Sequence, residues 1–112
     1  MTGAQRITQE RTRQRSAARH GGEGFDTAHD DQHIGEQLAT AAAVYALPER
    51  YRQPIMRYWR DELWPSGWEP KFDDVNPERR VRILEKAGAL IAAEIDRLIR
   101  AYPSNFAQED AG

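Results

Sequence analysis

With 112 residues, 39% of them hydrophobic and 30% charged, the chain has room for one small, strongly charged domain. No apolar run approaches the roughly 20 residues of a membrane span, and the opening residues lack the hydrophobic segment of a secretory signal, so no membrane contact and a cytoplasmic setting are expected. Zero cysteines exclude disulfides, thiolate nucleophiles and thiolate metal ligands.

The net charge of −2 conceals a segregation. Residues 1–20 carry five Arg against one Glu; residues 21–40 carry Glu23, Asp26, Asp30, Asp31 and Glu36 with no Lys or Arg. Residues 5–19 read as a polar helix whose apolar positions, Ile7, Ala17 and Ala18, are too sparse to anchor it alone. Gly21, Gly22 and Gly24 break it, and Phe25 follows as an isolated plug for the core. A second helix is expected over 33–47, burying Ile34, Leu38, Ala41, Ala42 and Tyr45, capped by Asp30 or Asp31 and ended by Pro48. Residues 49–60 suggest a short third helix, interrupted or started near Pro54, and 63–70 a Trp/Pro/Gly loop.

Residues 76–102 carry the clearest signal. Val81, Leu84, Gly88, Leu90, Ile91, Ile95 and Leu98 recur at helical period, after Asn76 as N-cap and Pro77 in the first turn, and before the stop at Pro103. Such a stripe requires a partner surface. The fold expected is therefore an all-α bundle of three to four helices. Leu84, Ile91, Ile95 and Leu98 would face the main interface, with Gly88 and Ala92 at the close approach of the Ala-faced second helix. The organisation reads as a basic N-terminal helix and Gly-rich break (1–24), the bundle (25–103) and a polar tail (104–112). So thin a core favours a homo-oligomer, built on the Ala face of 39–46 and on Arg11 or Arg13 meeting acids of another copy.

Several segments resemble small phage and prophage helical proteins. They are Glu10-Arg11-x-Arg13-Gln14, His29-Asp30-Asp31-x-His33, Leu38-Ala39-x-Ala41-Ala42-x-x-Tyr45-Ala46 and the Leu84-x-Lys86-Ala87-Gly88-Ala89-Leu90-Ile91-x-Ala93-Glu94-Ile95-x-Arg97-Leu98 run. The layout is also distantly similar to MazG-type all-α nucleotide pyrophosphohydrolases, whose chemistry needs carboxylates converging on Mg²⁺ or Mn²⁺. Ala42, Ala43 and Ala46 stand where that similarity would put the acids. Small size, the missing acids and the Arg and aromatic chemistry thus favour a non-catalytic binding protein of phage or prophage type without a cofactor, acting on a host protein or sequestering a nucleotide-like ligand in a counter-defence role. The alternative is a metal-dependent hydrolase using His29, Asp30, Asp31, His33, Glu36 and Glu94.

Each candidate contact also has a plainer role. His29, Asp31 and His33 have ligand-like spacing, yet acids before a helix usually cap it. Glu94 borders the apolar stripe, and a buried carboxylate there needs a cation, for which Arg11 or Arg13 is the expected source. The arm of Arg6, Arg11, Arg13, Arg15 and Arg19 contains no aromatic residue, in a slightly acidic chain, which argues against nucleic acid. Its first reading is a solvated or intersubunit-paired helix, its second a phosphate contact. Tyr58, Trp59, Trp64 and Trp68 either seal the core or present a recognition surface.

Overall fold

The computed structural model describes residues 1–16, 36–64, 67, 68, 72 and 75–107. Four α-helices and a 3₁₀ turn carry these residues, with no strand among them: α1 (Gly3–Arg15), α2 (Gln37–Ala46), α3 (Glu49–Leu63), α4 (Pro77–Ala101) and the turn Pro103–Asn105. The fold is an all-α bundle.

Local chemistry fixes the helix ends. Thr2 and Gln5 form a reciprocal capping box at the start of α1, with the Gln5 N–H donating to Thr2 Oγ1 at 3.1 Å and the Thr2 N–H to Gln5 Oε1 at 2.8 Å. Asn76 caps α4 by accepting from the Arg79 N–H at 2.9 Å, Pro77 opens the helix, and Pro103 turns the chain after it, as the sequence indicates. The second helix starts later than expected. Glu36, at φ 63°, is its N-cap and makes no side-chain capping bond; Asp30, Asp31, Ile34 and Phe25 lie outside the described residues. Pro54 does not interrupt α3, which continues to Leu63.

The orphan carbonyls at the end of α2 are met by two guanidinium groups. Arg80 Nη2 donates to Ala46 O at 2.5 Å, and its Nη1 to Tyr45 O and Leu47 O at 3.2 and 3.3 Å. Arg52 Nη1 donates to Leu47 O at 3.2 Å while its guanidinium stacks 4.5 Å from the Phe72 ring. Cations thus sit at the negative end of the α2 dipole.

The core lies between α2 and α4. Leu38, Ala41, Ala42, Val44 and Tyr45 pack with Ile83, Ala87, Leu90 and Ala93, and Trp64 closes one end. Tyr45, Trp64 and Phe72 meet edge to face at 5.1–5.3 Å. Of the Ala face of α2, Ala41 and Ala42 are buried inside the chain against α4, whereas Ala43 and Ala46 remain exposed.

The expected face of α4 is also corrected. Leu84, Ile91 and Ile95 are 43, 49 and 51% exposed, and the buried line is Ile83, Ala87, Leu90, Glu94 and Arg97. Both lines step by three and four residues, so periodicity alone does not choose between them. Ala87 decides it: a small side chain at that height lets Ala41 and Ala42 approach. Gly88 and Ala92 instead mark the approach of α1. Ile7 lies over Gly88, with its Cδ1 2.6 Å from where a Cβ would stand, and Ala92 borders a groove beside α1.

Candidate functional site

The α1 helix has almost no apolar residues, yet Glu10 and Gln14 are both 2% exposed. Ile7, Glu10 and Gln14 step by three and four residues and so share one face. Burial of a carboxylate demands cations, and the seam with α4 supplies them. Arg13 Nε donates to Glu10 Oε1 at 2.5 Å; Arg82 Nη2 donates to the same oxygen at 3.2 Å and its Nη1 pairs closely with Oε2. Arg82 continues to Glu85 Oε2 at 3.1 Å, and Glu85 Oε1 accepts from Arg6 Nη1 at 3.1 Å. The sequence Arg13, Glu10, Arg82, Glu85, Arg6 alternates in sign throughout, which suits bidentate, delocalised guanidinium groups better than lysine.

Farther along α4, Arg97 Nε donates to Glu94 Oε1 at 2.5 Å, both side chains being under 10% exposed. Arg11 Nη2 reaches Asp96 Oδ2 at 3.6 Å. The expected pairing of Glu94 with Arg11 or Arg13 is thus replaced: Glu94 takes Arg97 from its own helix, one turn on, and Arg13 takes Glu10. Within the chain Arg6 pairs with Glu85, Arg11 with Asp96 and Arg13 with Glu10. Two buried acceptor atoms, Gln14 Oε1 and Glu94 Oε2, have no hydrogen-bond partner among the described residues.

Beside this seam runs an open groove of about 570 Å³, lined by Arg11, Arg15, Thr8, Thr12 and Ser16 above Ile7 and Ala92. Thr8, Thr12 and Ser16 donate to the carbonyls of Ala4, Thr8 and Thr12 at 3.0, 3.1 and 2.9 Å. Their hydroxyl protons are therefore committed, and their oxygens remain as acceptors. The groove combines guanidinium groups, hydroxyl oxygens and an apolar floor, a lining that suits a small anion with an apolar or aromatic body.

The expected aromatic surface divides in two. Trp64 is buried and Trp68 half-buried, with Trp64 Nε1 donating to the Trp68 carbonyl at 3.0 Å. Trp59 and Tyr58 are 55 and 73% exposed on α3. Arg11 and Arg13 thus lie at the α1–α4 seam and Glu94 farther along α4 with Arg97, whereas the three Trp belong to the α3 end of the molecule. His29, Asp31 and His33 lie outside the described residues, among which no group of three or more His, Asp or Glu is placed to hold a metal ion. Sequence reasoning missed Gln14, Arg82 and Arg97 as members of the seam, although the 7-10-14 spacing was readable. Comparison with protein-family models, curated proteins and solved structures gave no match.

Proposed function

We propose that the chain is a non-catalytic binding protein that holds a phosphate-bearing, nucleotide-like small molecule in the α1–α4 groove. The observation that carries this reading is the joint placement of Arg11 and Arg15 along one groove with Thr8, Thr12 and Ser16. Guanidinium forks match phosphate oxygens, and the Ile7 and Ala92 floor offers an apolar surface to the rest of the ligand. Binding without turnover is supported by the acids nearby. Glu10, Glu85 and Glu94 are each engaged by arginine rather than turned toward one another. Ala42, at one of the positions where an acid set would be needed, is 1% exposed in the core. The likeness to phage and prophage proteins fits a sequestering, counter-defence role.

Calorimetry with a panel of nucleoside mono-, di- and triphosphates and cyclic nucleotides, with and without Mg²⁺ or Mn²⁺, tests the proposal. One member should bind without turnover. Arg11→Ala or Arg15→Ala should weaken it by roughly 10- to 150-fold, the loss of one charged hydrogen bond. Pyrophosphate release abolished by Glu94→Ala would establish the hydrolase instead, and silence across the panel would remove the ligand reading.

A second reading, docking to a host protein, is favoured by the exposure of Tyr51, Tyr58 and Trp59 on α3. Tyr and Trp dominate binding hot spots. Contact through that face would be lost in Tyr58→Ala and Trp59→Ala and kept in Arg15→Ala.

A further inference from the structure

We propose that the outward face of α3 is a docking surface for an acidic α-helix of another protein. The inference rests on the reading of α3 as a docking face and adds the chemistry of the partner. From Arg50 to Arg60 the chain runs RYRQPIMRYWR, with four Arg, three aromatic residues and no acid. Arg52 turns inward, donating to Leu47 O and stacking on Phe72. Arg50, Arg57 and Arg60 stay exposed beside the exposed Tyr51, Tyr58 and Trp59. Elsewhere the chain matches arginine with acid, at Arg6, Arg13, Arg82 and Arg97. On α3, Arg57 and Arg60 meet no acid among the described residues, and Arg50 lies 4.7 Å over the Tyr51 ring. Exposed Arg, Tyr and Trp without Lys is a composition typical of protein interfaces, and cations that meet no acid of their own chain suit an anionic partner.

The face contains a repeat that sets the partner's shape. Arg50-Tyr51 and Arg57-Tyr58 are the same pair seven residues apart. On a helix that is two turns, about 10.5 Å, and nearly the same side. Pro54 lies midway, is exposed and does not interrupt α3, so the ground between the two pairs carries no charge. An α-helix with carboxylates seven residues apart presents them at the same interval on one side, where each can take a guanidinium fork. An extended strand does not match. The same 10.5 Å or so is about three residues of strand, and residues three apart point to opposite faces. Nucleic acid is disfavoured because a run of phosphates would meet Glu49 at one end of α3 and Asp61 and Glu62 at the other. A lipid surface is disfavoured because Met56 and Leu63 are packed against the core, which leaves α3 no apolar stripe to insert.

NMR titration of the isotope-labelled full chain with a helical, alanine-rich peptide, carrying two Glu seven residues apart and a Leu between them on the same side, tests the proposal. Amide shifts centred on α3 should saturate with a Kd on the order of 100 µM, because one short helix face makes a small contact. Arg50→Ala and Arg57→Ala should each weaken binding by about 3- to 5-fold, as for one exposed ion pair, and together by about 10-fold or more. An isomer with its two Glu five residues apart, on different sides of its helix, should bind about 5-fold more weakly. Equal binding of the two isomers would overturn the helical register and with it the proposal. Equal binding of the Gln counterpart, abolished by Tyr58→Ala, would overturn the acidic partner while the docking face stood. Absence of α3 shifts with every peptide would remove both. Tighter binding of a short single-stranded oligonucleotide through the same arginines would overturn the proposal in favour of nucleic acid.

Discussion

Adding one methyl group at Gly88 tests how α1 is seated. A Cβ at that position would stand 2.6, 2.8 and 3.3 Å from Cδ1, Cγ1 and Cγ2 of Ile7, against the 3.5–4.0 Å at which carbon atoms rest. Swinging the terminal methyl aside relieves only the first of these contacts, so α1 itself must move by about 1 Å. It is held where it is by the Arg6–Glu85 and Glu10–Arg82 pairs. Overpacking of this kind costs about 1–3 kcal/mol, opposed by the ~1 kcal/mol that alanine gains over glycine inside a helix. Gly88→Ala should therefore destabilise the wild type by about 1 kcal/mol. In an Ile7→Ala background the same change should stabilise by about 1 kcal/mol. The coupling, near 2 kcal/mol, is read from a double-mutant cycle by urea denaturation at low protein concentration. Stabilisation by Gly88→Ala in both backgrounds would show that α1 does not rest on α4 as described.

Two adjacent residues should respond very differently: Leu90→Ala, at 2% exposure, should cost roughly 2–5 kcal/mol, whereas Ile91→Ala, at 49%, should cost under about 1 kcal/mol. Equal losses would void the assigned core face. Arg80→Gln strips the end of α2 of three guanidinium contacts and should lower stability by about 1.5–3 kcal/mol, with early loss of α2 protection in hydrogen exchange. Glu10→Ala should cost about 2 kcal/mol rather than the 3–5 of a wholly buried pair, because Arg13 and Arg82 remain 34 and 40% exposed to water. The paired replacement Glu10→Leu with Arg82→Met should recover most of that loss in thermal denaturation; no recovery would mean that the charges, not the packing volume, hold α1 in place.

The long helix was legible because its cues are local. Asn76, Pro77 and Pro103 mark its ends without reference to the rest of the chain, and the structure keeps all three. The face it buries was not legible, because the deciding cues are not local. The 83-87-90 and 84-88-91 lines have the same period. The more bulky line, with Leu84, Ile91 and Ile95, looks like the better core until the partner is known to be a row of alanines. Close approach by Ala41 and Ala42 favours the line that contains Ala87. Hydrophobicity ranks residues, but shape matching between two helices selected the face.

The seam exposes a different gap between pattern and fold. A polar arginine-rich helix reads as solvated because periodicity counts only apolar residues, and α1 has Ile7 alone on its inner face. Burial there is achieved by sign alternation. Each carboxylate taken from water is returned a guanidinium, and the long arginine stems cover apolar surface while their heads pair. The spacing of Ile7, Glu10 and Gln14 was therefore an amphipathic signal written in a second alphabet, in which charge complementarity replaces hydrophobicity. Reading it requires the acids and bases of both helices together, because Glu10 on α1 is held between Arg13 of its own helix and Arg82, 72 residues away in sequence. On the side of α1 away from Glu10, the exposed Arg15 and the mostly buried Arg11 line the groove where the proposed ligand would sit.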